Sequence, residues 1–313
     1  MLQLQHPCSC FVPAVRYVAA HHLQRASLTK DCLSPIEIDI HTHTQVQSVF
    51  KRSRNMSAAA KLSQGALTES VLLSWAGKPL LVDIGLNLAD SSFDQDRPDV
   101  LQRAVQAAGV HPHDAKQWNA DTAQQLEDLA SHSRCAAIGE CGLDFDRNFS
   151  PPDEQQHAFE EQIKLACRLR KPLFMHCRDA ADTLADILRK HSLTAPGVVH
   201  CFTGNKAELQ TFLDMGLCIG ITGWVCDDRP DRGGAELAAL LPMIPTERLM
   251  IETDAPYLVP RTIKPSKARP RRNEPALLPH VLQQVATSLG KSMEQVAQET
   301  TSVAERVFGL QLQ

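Results

Sequence analysis

The sequence predicts an α/β domain in which parallel strands close into a barrel, and three observations carry that reading. From Leu80 onward, short apolar runs alternate with stretches of helical length and periodicity, which is the pattern of βαβ units and a parallel sheet. The runs are apolar throughout, as strands covered on both faces are. Four of them, over residues 136–140, 173–176, 198–200 and 249–254, end on Glu140, His176, His200 and Asp254. Strand ends of a closed barrel converge on one mouth, whereas an open doubly wound sheet gathers its site at a single switch point. Two imidazoles and two carboxylates meeting at one mouth would suit a divalent metal ion.

The elements follow in order. Residues 80–85 read as the first strand. Residues 97–108 read as a helix with Pro98 in its first turn, and residues 108–110 as a strand stub. Residues 122–131 form a helix that leads into the strand ending at Glu140. The run from Pro151 to Glu154 opens a long helix, because proline is tolerated at the first turn and acids suit its positive end. Phe159, Ile163, Ala166 and Cys167 give that helix one apolar face. The cycle then repeats: strand to His176, helix 181–190, strand 197–201, helix 206–215, strand 217–221, helix 235–241, strand 248–253 and a helical tail from Pro275. The count is short. An eight-stranded barrel needs a further βα unit between the helix ending near Ala108 and His111.

Composition excludes several classes. The chain has 313 residues with 43% hydrophobic and 22% charged content, ordinary for a soluble protein. No run approaches the roughly 18 to 20 apolar residues of a membrane helix. The 10 cysteines include no C-x-x-C pair, and several fall inside strands, which fits reduced thiols packed as small apolar groups. Residues 1–79 differ from the rest and form an N-terminal extension, with the barrel domain at 80–313. No acid precedes Asp31, while Arg16, Arg25 and Lys30 do. Such a start suits a disordered tail or a transit peptide over residues 1–55. An upstream start codon, with Met56 the alternative, is the remaining account. The expected location is cytoplasmic, or an organelle if that leader acts.

The candidate chemistry sits at the strand ends. Glu140 is followed by Gly142 in a run that permits a tight turn, and its two oxygens could bridge divalent ions. His176 and His200 repeat one design, a buried strand ending in His-Cys, and neutral imidazole is the commonest transition-metal ligand. Asp254 could bind metal or take a proton from an activated water. His111 and His113, around Pro112, could line the pocket and reach a phosphate. Residues 261–272 hold Arg261, Lys264, Lys267, Arg269, Arg271 and Arg272 with no acid, which suits polyanion binding through phosphates. His41 and His43 stand about forty residues ahead of the first strand and are read as unrelated to the site.

Several ordered motifs resemble one family. They are residues 83–88 (DIGLNL), 109–114 (GVHPHD), 138–145 (IGECGLDF), 174–179 (FMHCRD), 200–204 (HCFTG), 220–226 (GITGWVC), 251–258 (IETDAPYL) and 271–275 (RRNEP). Together they resemble the TatD family of metal-dependent deoxyribonucleases. The resemblance implies a TIM barrel and hydrolysis of DNA phosphodiester bonds with Mg²⁺, as a 3′-5′ exonuclease on single strands. It implies metal binding by Glu140, His176 and His200, with Asp254 the catalytic carboxylate beside the metal and His111 assisting at the phosphate. Arg178, Arg271 and Arg272 would contact the nucleic acid, and no membrane or obligate protein partner is implied. Many relatives carry His-x-His on the first strand, where this chain has Gly85 and Asn87. It also lacks roughly thirty residues before Gly109, which a skipped exon or a rebuilt barrel would each explain. The competing expectations are a deacylase-type hydrolase on the same barrel and an inactive product of the shortened fold.

Overall fold

The computed structural model describes residues 80–87 and 106–310, together with the backbone of residues 15 and 16. Among the described residues the strands are β1 (Val15–Arg16), β2 (Val82–Asp83), β3 (Gln106–Ala108), β4 (Cys135–Asp144), β5 (Leu173–Arg178), β6 (Gly197–Val199), β7 (Cys218–Ile221) and β8 (Leu249–Ile251). The last six form one parallel sheet in chain order, β3-β4-β5-β6-β7-β8. The helices are α1 (Ala120–Ser131), α2 (Pro152–Leu169), α3 (Ala181–Arg189), α4 (Lys206–Asp214), α5 (Gly234–Leu240), α6 (Leu278–Leu289) and α7 (Met293–Phe308). One expectation is corrected here. Gln106–Ala108 is a strand, not the end of a helix, because its residues pair with Cys135, Ala137 and Ile138 of β4. A three-residue Ala-rich run has too little periodicity to separate the two.

The helices start where the sequence supplies caps. The Asn119 side chain accepts from the Thr122 amide at the start of α1. Asn205 and Glu208 form a reciprocal capping box on α4, satisfying two amides a helix start otherwise leaves unpaired. In α2, Gln155 and Gln162 are fully buried polar residues. Gln162 accepts from Val110 N at 2.7 Å and donates to Val110 O at 3.0 Å. Gln155 accepts from Asp144 N at 2.8 Å and donates to the Asp144 and Ser150 carbonyls. The long helix thereby holds the ends of β3 and β4 by their backbones, which is where the site residues begin.

Strand alternation sorts the core. Ala107, Ala137, Phe174, Val198, Cys218 and Met250 form one cluster inside the barrel with Val82, Ile84 and residues of α7. Ile138, Leu173, Met175, Val199, Ile219, Leu249 and Ile251 belong to the other cluster, shared with the surrounding helices. Successive side chains point to opposite faces, so the interior layer above the apolar one consists of His176, His200, Gly220 and Glu252. On β4 the phase changes. Ile138 pairs with Leu173 but Cys141 pairs with Met175, so one extra residue is inserted. This bulge turns Glu140 inward, where unbroken alternation from Ala137 would have placed Gly139.

The barrel closes between β2 and the end of β8, and among the described residues no bond closes it between β2 and β3. Asp254 N donates to Gly85 O at 2.9 Å and Asn87 N to Ala255 O at 2.8 Å, joining the first strand to the end of β8. Among the described residues β2 has no bond to β3; it pairs antiparallel with β1 instead. The seam lies where the sequence is one unit short. A buried clasp reinforces the closed side. Asp83 accepts from Thr253 N at 2.9 Å, Thr253 Oγ1 at 2.5 Å and Gly85 N at 3.2 Å.

Burial pushes the Asp83 carboxyl up to about 7 against the opposing pull of these hydrogen bonds. Its ordinary value is about 4. A carboxyl raised on folding stabilises the fold while protonated, and that contribution fades as pH rises through the folded value. Asp83→Asn keeps the acceptor and lets its amide donate to Thr253 Oγ1. Its stability relative to the wild type should therefore grow from about pH 4 to about pH 7 and stay level above. Urea denaturation at a series of pH values reads this directly. A pH-independent difference would mean that the buried carboxylate carries no penalty.

Candidate metal centre

Three imidazoles converge on one carboxylate oxygen at the mouth of the barrel. His200 Nε2 lies 2.7 Å from Glu140 Oε1, His176 Nδ1 3.0 Å and His111 Nε2 3.2 Å. Glu140 and His200 are buried, and His111 and His176 are half-buried. Burial alone would favour the neutral acid, yet His200 and His111 hold the Glu140 carboxyl well below its usual range. Burial likewise opposes a charged His200, but Glu140 and Glu252 raise it well above the ordinary imidazole value. Asp254 lines the same cavity, and burial pushes its carboxyl up to about 8. The cavity encloses about 540 Å³.

The donor atoms of His111, Glu140 and His176 lie within 4.8 Å of one another, close enough to hold one metal ion. The outer partners separate the histidines by role. His176 Nε2 faces Asp144 Oδ2 at 3.2 Å. A proton held there leaves the Nδ1 lone pair directed at the cluster, the state a metal ligand needs. His200 Nδ1 faces Glu252 Oε2 at 3.6 Å, which favours the proton on that nitrogen and leaves Nε2 for a metal. His111 is arranged the other way. Its Nδ1 accepts from His113 N at 3.1 Å, so the neutral ring carries its proton on Nε2. It is therefore a hydrogen-bond donor towards the cluster, and the tautomer argues against its being a ligand in this arrangement.

Asp144 and Glu252 are site residues that motif reading passed over. Asp144 is fully buried and receives His113 Nε2 at 2.9 Å as well as His176. Although burial opposes it, the hydrogen bonds from His113 and His176 lower its carboxyl strongly. Glu252 accepts from Cys201 N at 2.5 Å. Glycines make room for it: a Cβ at Gly85 would stand 2.0 Å from Glu252 Oε2, and one at Gly220 2.6 Å from Oε1. The signal for both acids was their position, two residues from a predicted ligand or at the end of the same run, where alternation returns a side chain to the same face.

The cations divide. Arg178 lines the cavity with Arg147, and its Nε pairs with Asp146 at 3.0 Å. Arg271 and Arg272 do not line it. They precede buried Asn273, whose side chain donates to Thr253 O at 2.9 Å and Tyr257 O at 2.6 Å, which ties their segment to the end of β8. The basic run also meets acids from elsewhere in the chain. Asp228 pairs with Arg261 at 2.9 Å and Lys264 at 2.5 Å, so these two cations fasten the segment to the loop after β7. Asn87, at the second His-x-His position, lines the cavity with an oxygen that has no hydrogen-bond partner among the described residues. His41 and His43 lie outside the described residues.

Comparison with known proteins gives one consistent answer. The family profile of TatD related DNases matches residues 38–309, a span that starts upstream of Leu80 and takes in His41 and His43. The 3′-5′ ssDNA/RNA exonuclease TatD of Citrobacter rodentium is 46% identical over 264 residues, covering 74% of this chain and 99% of that protein. The protein of the same name from Pectobacterium parmentieri is 46% identical over 263 residues, covering 74% of this chain and 100% of its own length. This chain contributes fewer residues than there are aligned positions, as a missing unit requires. Among solved structures, a TatD homologue from Escherichia coli K12 superposes with a TM-score of 0.59 at 26% identity, covering 66% of this chain and 76% of that one. A TatD family hydrolase from Entamoeba histolytica gives 0.56 at 27% identity, with 64% and 73% covered.

The orienting role of Asp144 has a direct consequence. Asp144→Asn keeps the size of the side chain but weakens the hold on the His176 proton. Mn²⁺ affinity measured by calorimetry should fall about 10- to 100-fold, with the melting temperature recorded alongside. Undiminished affinity would show that His176 needs no orienting partner.

Proposed function

This chain belongs to the TatD-related DNase family, and we propose that it is a metal-dependent nuclease trimming single-stranded DNA from the 3′ end. The observation that carries this reading is the convergence of His176 and His200 on Glu140, each imidazole backed by a second carboxylate. Similarity to relatives named 3′-5′ ssDNA/RNA exonucleases supports the substrate class and polarity. Mg²⁺ suits a site that also offers carboxylate oxygen, and intracellular phosphodiester chemistry favours it. Among the described residues no helix is long and apolar enough to cross a membrane, and the cytoplasm is the proposed place of action.

The chemistry divides among named residues. Glu140, His176 and His200 would hold the cation, with Asp254 beside them. A bound divalent ion would neutralise phosphate charge and make hydroxide accessible near neutral pH. Asp254 takes the proton of the attacking water, a task suited to a buried carboxyl whose affinity for a proton burial has increased. His111 donates from Nε2 to a phosphate oxygen, using the tautomer that His113 N selects. Arg178 draws the phosphate backbone to the mouth. Arg271 and Arg272, pinned beside the β8 end by Asn273, extend the positive approach.

The test is a 3′-labelled single-stranded oligonucleotide with Mg²⁺, run beside Glu140→Ala and a chelated sample. The wild type should shorten the strand from the labelled end. Chelation and the Glu140 change should each reduce cleavage to background, and added Mg²⁺ should restore only the chelated wild type. Cleavage that survives Glu140→Ala would remove the proposed site. Absence of cleavage by a protein that melts cooperatively would remove the nuclease reading and bring forward a hydrolase of another ester or amide.

A further inference from the structure

Large apolar side chains are seldom left in water without a reason when they ring a cavity. Three are exposed among the described residues: Leu129 at 44%, Phe149 at 58% and Tyr257 at 50%. Leu129 is on α1, away from the strand ends. The other two stand at the mouth of the metal cavity. Tyr257 lines it directly. Phe149 packs edge-on against His113, with ring centroids 4.7 Å apart at 87°, and His113 lines the same cavity.

Neither ring is exposed through slack in its loop. Fully buried Ser150 donates to His113 O at 2.7 Å and accepts from Lys116 N at 3.0 Å. On the other side of Phe149, the Asn148 side chain donates to Phe145 O at 2.6 Å. Tyr257 N donates to Asp254 O at 3.0 Å, and Tyr257 O accepts from the Asn273 side chain. Both backbone segments are tied in place, and both rings remain about half exposed. Their places in the sheet set them apart as well. Phe149 follows β4 and Tyr257 follows β8, four strands along a sheet that curves round the site. Both rings therefore stand beside the cavity that holds Glu140, His176 and His200, one through His113 and one directly, and Arg147 and Arg178 line the same cavity.

We infer that Phe149 and Tyr257 are stacking platforms for the two bases on either side of the scissile phosphate, and that they select single strands. The inference rests on the nuclease reading above and adds the residues that set its specificity. Aromatic faces accept every base, so stacking binds without sequence preference. A paired base already has both faces covered by its neighbours in the duplex. It would have to be unstacked before it could meet either ring, so duplex ends are poor substrates for this mouth.

The test uses Phe149→Ala and Tyr257→Ala, with Phe149→Tyr and Tyr257→Phe as conservative partners. Two single-stranded oligonucleotides are compared, one ordinary and one whose last two nucleotides lack bases. Each alanine change should raise KM for the ordinary oligonucleotide about tenfold, with kcat altered less, while the conservative variants stay near the wild type. Removing the bases should raise the wild-type KM by a similar factor, and the two losses should not add. Selectivity for single strands over blunt duplex should narrow in the alanine variants. An unchanged KM overturns the inference, and so do losses that add fully on the base-free substrate, because the rings would then act without bases. If the wild type shortens neither oligonucleotide, the nuclease reading itself has failed, which is a separate result.

Discussion

Everything at the mouth of this barrel depends on keeping Glu140 ionised while it is sealed from water. A carboxylate taken into a protein interior loses hydration worth several kcal/mol after relaxation. Here the compensation is three imidazoles aimed at one oxygen, at 2.7, 3.0 and 3.2 Å. Each imidazole comes from a different strand end or loop, so the charge draws β3, β4, β5 and β6 together at their tips. The bulge between Ile138 and Cys141 is the backbone concession that allows it. Without the extra residue Glu140 would face the helices and Gly139 the cavity. The arrangement also suits exchange for a cation, because the imidazole protons that neutralise Glu140 and a divalent ion compete for the same position.

A second layer of acids determines what the first layer can do. Asp144 lies within hydrogen-bonding distance of His176 Nε2 and Glu252 stands 3.6 Å from His200 Nδ1, and each acid favours the proton on that outer nitrogen. His111 has a backbone amide in that position instead, so it faces the cluster as a donor. In the proposed reading, the difference between a ligand and a phosphate contact is set by partners that lie outside the cavity's centre. Removing an orienting acid would leave the same residues in place with the wrong nitrogen offered.

Two of the four strand-end residues follow from alternation, a local rule by which another inward residue lies two positions beyond an inward apolar one. Phe174 leads to His176 and Val198 to His200, and the same rule leads from Met250 to Glu252, which the motifs did not single out. The same rule fails at β4, because a bulge depends on register with a neighbouring strand and leaves no periodic mark. Gln155 and Gln162 were invisible for a similar reason. They sit on a helix face with Ala158 and Phe159 and look like surface residues that happen to repeat. Only the approach of Asp144 and Val110, 11 and 52 residues away, makes them buried clamps. The shortfall of one βα unit could be counted from the chain. That the closed side would be carried by Asp83 and Thr253, 170 residues apart, could not.

The departure from His-x-His on the first strand and the orienting of His200 are one structural choice. Gly85 stands where the first of those histidines would be, and a Cβ there would fall 2.0 Å from Glu252 Oε2. The space is not vacant, since the Glu252 carboxylate fills it and reaches His200 Nδ1 from that position. A side chain at residue 85 would therefore gain one donor on the first strand and displace the acid that sets the His200 tautomer. Gly220 leaves room on the opposite wall by the same means, since a Cβ there would fall 2.6 Å from Glu252 Oε1. A site of this form gives up a ligand on the strand that, among the described residues, has no bond to β3, and relies on β4 to β8, where the sheet is continuous. The incomplete half of the barrel is thus the half from which this arrangement asks least.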